Sequence, residues 1–100
     1  MEKQLTGVEL IAKERQEQIE KHGFTEQYQK DHLEYYSDGQ LIDAAHYAIT
    51  LKGWPQDWPK GYYRDKIVAK SYKDRLIIAG ALIAAEIDRL NYNKNDKDNF

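Results

Sequence analysis

Two carboxylates stand three residues apart at Glu14 and Glu17, close enough to project from one face of a helix. Gln40 and Asp43 repeat that spacing further along, with an amide in place of the first acid. Glu86-Ile87-Asp88 supplies the acids nearest the most apolar run of the chain. Hard divalent cations such as Mg²⁺ take oxygen ligands and keep several waters. Glu14, Glu17, Asp43 and Glu86 are therefore the candidate metal ligands, provided their helices pack side by side. Each also has a plainer reading. Glu-x-x-Glu is common on solvated helix faces, and Glu86 could meet Arg15 or Arg75 in a structural ion pair.

Other chemistries find little to work with. The chain has no cysteine, so thiolate nucleophiles, disulfides and thiolate metal sites are excluded. Ser37 and Ser71 both sit where helix caps are expected, and no nucleophile elbow surrounds either. No glycine-rich phosphate loop precedes a Lys-Ser or Lys-Thr pair. His22, His32 and His46 do not form the paired-histidine zinc pattern.

The elements that would position the acids read as three helices. The first runs from about Leu5 to His22, with Thr6 and Glu9 at capping-box spacing and Gly23 just past its end. Its apolar stripe is thin, Val8, Ile11, Ala12 and Ile19, interrupted by Arg15. The second starts near Ser37 or Asp38 and ends at Lys52-Gly53, burying Leu41, Ala44, Ala45, Ala48 and Ile49. The third, about Tyr72 to Leu90 with Ser71 as cap and Asp74 at its third position, carries Leu76 to Ala85 apolar on every face. Such a helix is the buried centre of a fold or an oligomer interface. Residues 24–36 read as a loop with at most one helical turn. Residues 53–70, with two Trp-Pro steps, read as an ordered connection anchored by aromatics. The fold class expected is all-α, one domain over residues 1–90 with a polar, flexible tail at 91–100.

Composition sets further bounds. A chain of 100 residues, 41% hydrophobic and 32% charged, holds one small domain. No run is long and apolar enough for a membrane span, and the N-terminal residues lack an apolar signal core, so a cytoplasmic protein with no membrane partner is expected. Residues 1–45 carry ten acids and five bases, and residues 46–75 carry seven bases and three acids. An acidic half beside a basic middle suits carboxylate-held metal facing phosphates, and equally a solvated mixed-charge surface. With a net charge of −2 and no basic stripe, general nucleic-acid binding is not expected. So small a chain buries a modest share of its surface, and a second copy would complete the core most cheaply.

Glu14-Arg-Gln-Glu17, followed after 22 residues by Gln40-Leu-Ile-Asp43, resembles the Glu-x-x-Glu and Glu-x-x-Asp pair of the all-α nucleotide pyrophosphohydrolases of the MazG-like type. Gln40 departs from that pattern, an amide standing where those enzymes carry an acid. A second likeness, over about residues 9–90, is to small phage and prophage proteins. It rests on Glu14-Arg15, Gln18-Ile19, Gly23-Phe24-Thr25, Gly39-Gln40-Leu41, Ala44-Ala45, Tyr47-Ala48, Trp54-Pro55 and Ala84 to Leu90. The first resemblance implies cleavage of a nucleoside triphosphate into monophosphate and pyrophosphate. It implies Mg²⁺ (or Mn²⁺) on Glu14, Glu17 and Asp43, with Glu86 as a further ligand and Glu14, Glu17 and Asp43 catalytic. By residue type alone, Arg15, Lys60, Arg64, Lys66 or Lys70 would balance phosphate charge, and Trp54 or Trp58 would stack on the base. Two other classes stay open: a nucleotide-binding module without turnover, and a small oligomeric interaction protein.

Overall fold

The computed structural model describes residues 4–22, 38–58 and 61–97. Four helices occur among them, α1 (Gly7–His22), α2 (Gln40–Thr50), α3 (Tyr62–Val68) and α4 (Tyr72–Lys97), and no strand. The protein is all-α. Both α1 and α2 pack on α4. Among the described residues, no helix is long and apolar enough to cross a membrane.

The α1 start is fixed by a reciprocal pair. Glu9 Oε1 accepts from the Thr6 N–H at 2.8 Å, and Thr6 Oγ1 accepts from the Glu9 N–H at 3.2 Å. The capping box therefore forms as its spacing predicts. Ser71 likewise caps α4, its Oγ accepting from the Asp74 N–H at 3.2 Å. For α2 the expected start is two or three residues early. The helix begins at Gln40 behind Gly39, which holds φ +80° and offers no side-chain cap. Ser37, residues 24–36 with His32, and Lys60 lie outside the described residues.

The end of α2 is closed from elsewhere. Leu51 takes a left-handed φ of 62°, and its N–H donates back to the Tyr47 carbonyl. The Arg75 guanidinium reaches over from α4, Nη1 donating to the Ala48 and Ile49 carbonyls at 3.2 and 3.3 Å. These are carbonyls that a helix end leaves without intrahelical donors, at the negative pole of its dipole.

The connection at 53–70 contains a helix that the sequence pattern does not announce. In α3 Tyr63 packs against the core and Ile67, one turn on, is fully buried. Ahead of it, Pro55 is fully buried and Trp54 stacks edge-on to Tyr47 and Trp58, at ring separations of 5.2 and 5.8 Å. Trp54 Nε1 also donates to the Trp58 carbonyl at 3.3 Å. These rings close one side of a core made by Leu41, Ala44, Ala45 and Ala48 of α2 and Ile78, Ala79, Leu82 and Ala85 of α4. At the far end, α4 continues to Lys97, seven residues beyond the expected stop at Leu90.

Candidate functional site

The acids of α1 open onto a cavity of about 220 Å³ between α1 and the start of α4. Leu10, Lys13, Glu14 and Glu17 line one side, and Lys70, Asp74, Ile77 and Ile78 line the other. The three-residue spacing works as expected here, turning Glu14 and Glu17 toward one space. Burial, and then the neighbouring Glu17 charge, push the Glu14 carboxyl above the usual carboxylate range. Lys66, Lys70 and Lys21 pull in the opposite direction without cancelling the rise. The cavity thus combines three carboxylates, Glu14, Glu17 and Asp74, with Lys13 and Lys70, and Glu14 holds its proton more firmly than an ordinary acid.

Lys66 and Lys70 follow from the charge pattern, since they close the basic middle of the chain. Asp74 and Lys13 do not. Asp74 reads in the sequence as a first-turn acid of a capped helix, which it is, and only the packing of α1 on α4 adds it to the cavity.

The remaining candidates go elsewhere. Asp43 is exposed on α2 and does not line the cavity. Glu86 is clasped by Arg89, whose Nε and Nη2 donate to its two oxygens at 2.8 and 2.9 Å with both side chains largely buried. That bond raises the Arg89 pKa further. Glu86 therefore meets a base three residues along its own helix, and neither Arg15 nor Arg75. Arg15 is 8% exposed and ties α1 to α4, its Nε and Nη2 each 3.1 Å from Asp88 Oδ2. Its guanidinium is thus committed to a structural contact. Gln40 is also committed: its Oε1 accepts from the Asp38 N–H at 2.7 Å and its Nε2 donates to Asp57 Oδ2 at 2.8 Å. Trp58 is buried with the core and Trp54 half-buried in the same stack, so the face of Trp58 belongs to packing. Arg64 lies on α3 beside Asp65, at 3.5 Å, outside the cavity.

Among the described residues no three His, Asp or Glu side chains gather into a metal-ligating group. The pair Glu14 and Glu17 is a suitable set for Mg²⁺, which often binds through one or two carboxylates plus substrate phosphates and water. Comparison with protein-family profiles, with curated proteins and with solved structures gives no match.

Proposed function

We propose that the chain is a divalent-cation-dependent nucleoside triphosphate pyrophosphohydrolase working in the α1–α4 cavity. The observation that carries this reading is the shared space of Glu14 and Glu17 with Lys70, and the raised Glu14 carboxyl inside it. The acid pair of the MazG-like resemblance falls in this same cavity. Glu14 and Glu17 would hold Mg²⁺ or Mn²⁺, which supplies Lewis-acid polarisation of the phosphates when bound. Lys70, with Lys66 nearby, faces the phosphate charge. One of the two carboxylates would orient the attacking water and take its proton. Water adds at phosphorus, the bond between the α and β phosphates breaks, and monophosphate and pyrophosphate leave.

The engagement of Gln40 with Asp57 and the exposure of Asp43 favour one second reading, nucleotide binding in this cavity without turnover. Pyrophosphate release from a triphosphate panel with Mg²⁺ or Mn²⁺ tests both. Release that falls about 10²–10⁴-fold in Glu14→Gln, the range for loss of a positioned base, supports hydrolysis. Saturable nucleotide binding without release selects the binding module, and neither binding nor release in folded protein overturns both.

A further inference from the structure

The cavity that holds Glu14 and Glu17 is small. Its volume of about 220 Å³ lies below the roughly 300–1,000 Å³ of pockets that enclose a whole drug-sized ligand. A nucleoside triphosphate belongs to that size class, so only part of one fits between α1 and α4. The lining selects which part. A divalent cation on Glu14 and Glu17 would cancel their two charges. Lys13 and Lys70 in the lining, and Lys21 and Lys66 acting on Glu14 from beside it, would then face one remaining acid, Asp74. A site of that charge suits a dense anion. A phosphate chain is charged along its whole length, and a nucleoside is not. The apolar remainder, Leu10, Ile77 and Ile78, is aliphatic and offers a base neither hydrogen bonds nor a stacking face. Trp54 and Trp58, the rings available for stacking by residue type, are spent on Tyr47 and on each other, at 5.2 and 5.8 Å, against the core. Among the described residues no aromatic ring lines the cavity.

We propose that this cavity recognises the phosphate chain alone, and that the protein also cleaves inorganic tripolyphosphate to orthophosphate and pyrophosphate. The proposal rests on the hydrolase reading of the same site. Pyrophosphate is the leaving group in both reactions. A terminal phosphoryl group of tripolyphosphate takes the place of the phosphoryl group that carries the nucleoside. Water adds at that terminal phosphorus, the bond from phosphorus to the bridging oxygen breaks, and the bridging oxygen departs with pyrophosphate. The proton released by the water passes to one of the two carboxylates and from there to solvent. With the nucleoside held outside the cavity, the four common ribonucleoside triphosphates are cleaved with kcat/KM values within about tenfold of one another, no more than one small pocket contact discriminates.

Orthophosphate release from tripolyphosphate with Mg²⁺ or Mn²⁺ tests the proposal, since cleavage of a nucleotide between its α and β phosphates yields none. Release is expected. It should fall about tenfold or more in Lys13→Gln/Lys70→Gln with helical circular dichroism unchanged, as loss of charge-assisted contacts predicts. A second readout needs no turnover. Amide resonances of Glu14, Glu17 and Lys70 are expected to shift on titration with tripolyphosphate and to stay in place with adenosine. Pyrophosphate release from nucleotides without cleavage of tripolyphosphate overturns this inference and leaves the hydrolase reading standing. Cleavage of tripolyphosphate without nucleotide turnover does the reverse. Turnover of neither in folded protein overturns both. Tripolyphosphate cleavage that survives Glu14→Gln/Glu17→Gln, or that is unchanged in Lys13→Gln/Lys70→Gln, places the reaction outside this cavity and overturns the inference. So does a preference of more than about tenfold for one base, which one small contact in a closed pocket would give.

Discussion

A glutamate at position 40 would complete the acid pattern of the second helix, and the structure gives a reason for the amide. The Gln40 side chain is 3% exposed and its Nε2 donates to Asp57 Oδ2 at 2.8 Å. A carboxylate there would replace a donor by a like charge and leave Asp57 facing it. Gln40→Glu is expected to lower stability at pH 7 by about 1–3 kcal/mol, the scale of an unsatisfied buried polar group. The new carboxyl would have a raised folded-state pKa, so the penalty applies above that pKa and fades as pH falls through it. Urea denaturation at pH 7 and at pH 4 checks both parts, and equal stability of the two proteins at pH 7 would contradict the account. Glu14 already carries a penalty of this kind in the natural chain. Its carboxyl is raised by burial and by Glu17, so the folded state binds a proton more tightly than the unfolded state. Stability contributed by that proton is full below the ordinary carboxylate pKa and is lost as pH rises through the raised value. Glu14→Gln is therefore expected to raise the Tm at pH 7, with the gain shrinking as pH falls into the carboxylate range. A site residue that costs stability where it stands is the usual sign of a group kept for function.

Helix α4 shows how one element serves two neighbours. An added Cβ at Gly80 would lie 2.6 Å from Ile11 Cδ1 and 3.0 Å from Ile11 Cγ1, so α1 approaches there because position 80 has no side chain. An alanine gains about 1 kcal/mol of helix propensity, while crowding into a packed contact costs about 1–3 kcal/mol. The effect of Gly80→Ala should accordingly depend on Ile11. Introduced into an Ile11→Ala background, the same substitution is expected to be more favourable by about 1 kcal/mol or more, as a double-mutant cycle would measure. Additive effects would mean that α1 shifts freely. The caps at Thr6–Glu9 and Ser71–Asp74 and the α2 core positions Leu41, Ala44, Ala45 and Ala48 were legible in the sequence, because each depends on residues within one or two turns, whereas Ile49, expected in the same stripe, is exposed, and a run apolar on every face did not say which side of α4 is buried. Helix α3 was not legible, because seven residues are too few to define a period. Glu86 illustrates the same limit within the site. The Glu-x-x-Arg spacing of Glu86 and Arg89 is visible in the sequence, but three bases were available to Glu86 and only folded geometry sends Arg15 to Asp88 and Arg75 to the end of α2. Asp74 joined the candidate cavity only through tertiary packing.

At the level of the whole molecule, the helices are held unequally. On α4 the residues Ile78, Ala79, Ala81, Leu82 and Ala85 are buried and apolar, and they share a core with α2 and the Trp54–Trp58 stack. On α1 the buried side chains among the described residues are Arg15 and Gln18, both polar, with Leu10, Ile11 and Ile19 only half-buried. Gln18 is fully enclosed, yet its one hydrogen bond is a long 3.5 Å contact to the Tyr63 hydroxyl, and no donor among the described residues reaches its Oε1. An enclosed acceptor without a donor costs free energy, and polar contacts give less net stabilisation than apolar burial. The helix bearing Glu14 and Glu17 is therefore the one that should open at lowest free energy. In native-state hydrogen exchange, amides from Leu10 to Glu20 are expected to exchange faster than those from Ile78 to Ala85. Because the cavity is closed on its other side by Lys70 and Asp74, a ligand bound there stabilises the docked position of α1 over the open one. Millimolar Mg²⁺ with a nucleotide should slow exchange in α1, leave the centre of α4 nearly unchanged, and have no such effect in Glu14→Gln/Glu17→Gln. Protection that appears in α4 alone, or that persists in the double variant, would place the ligand somewhere other than this cavity.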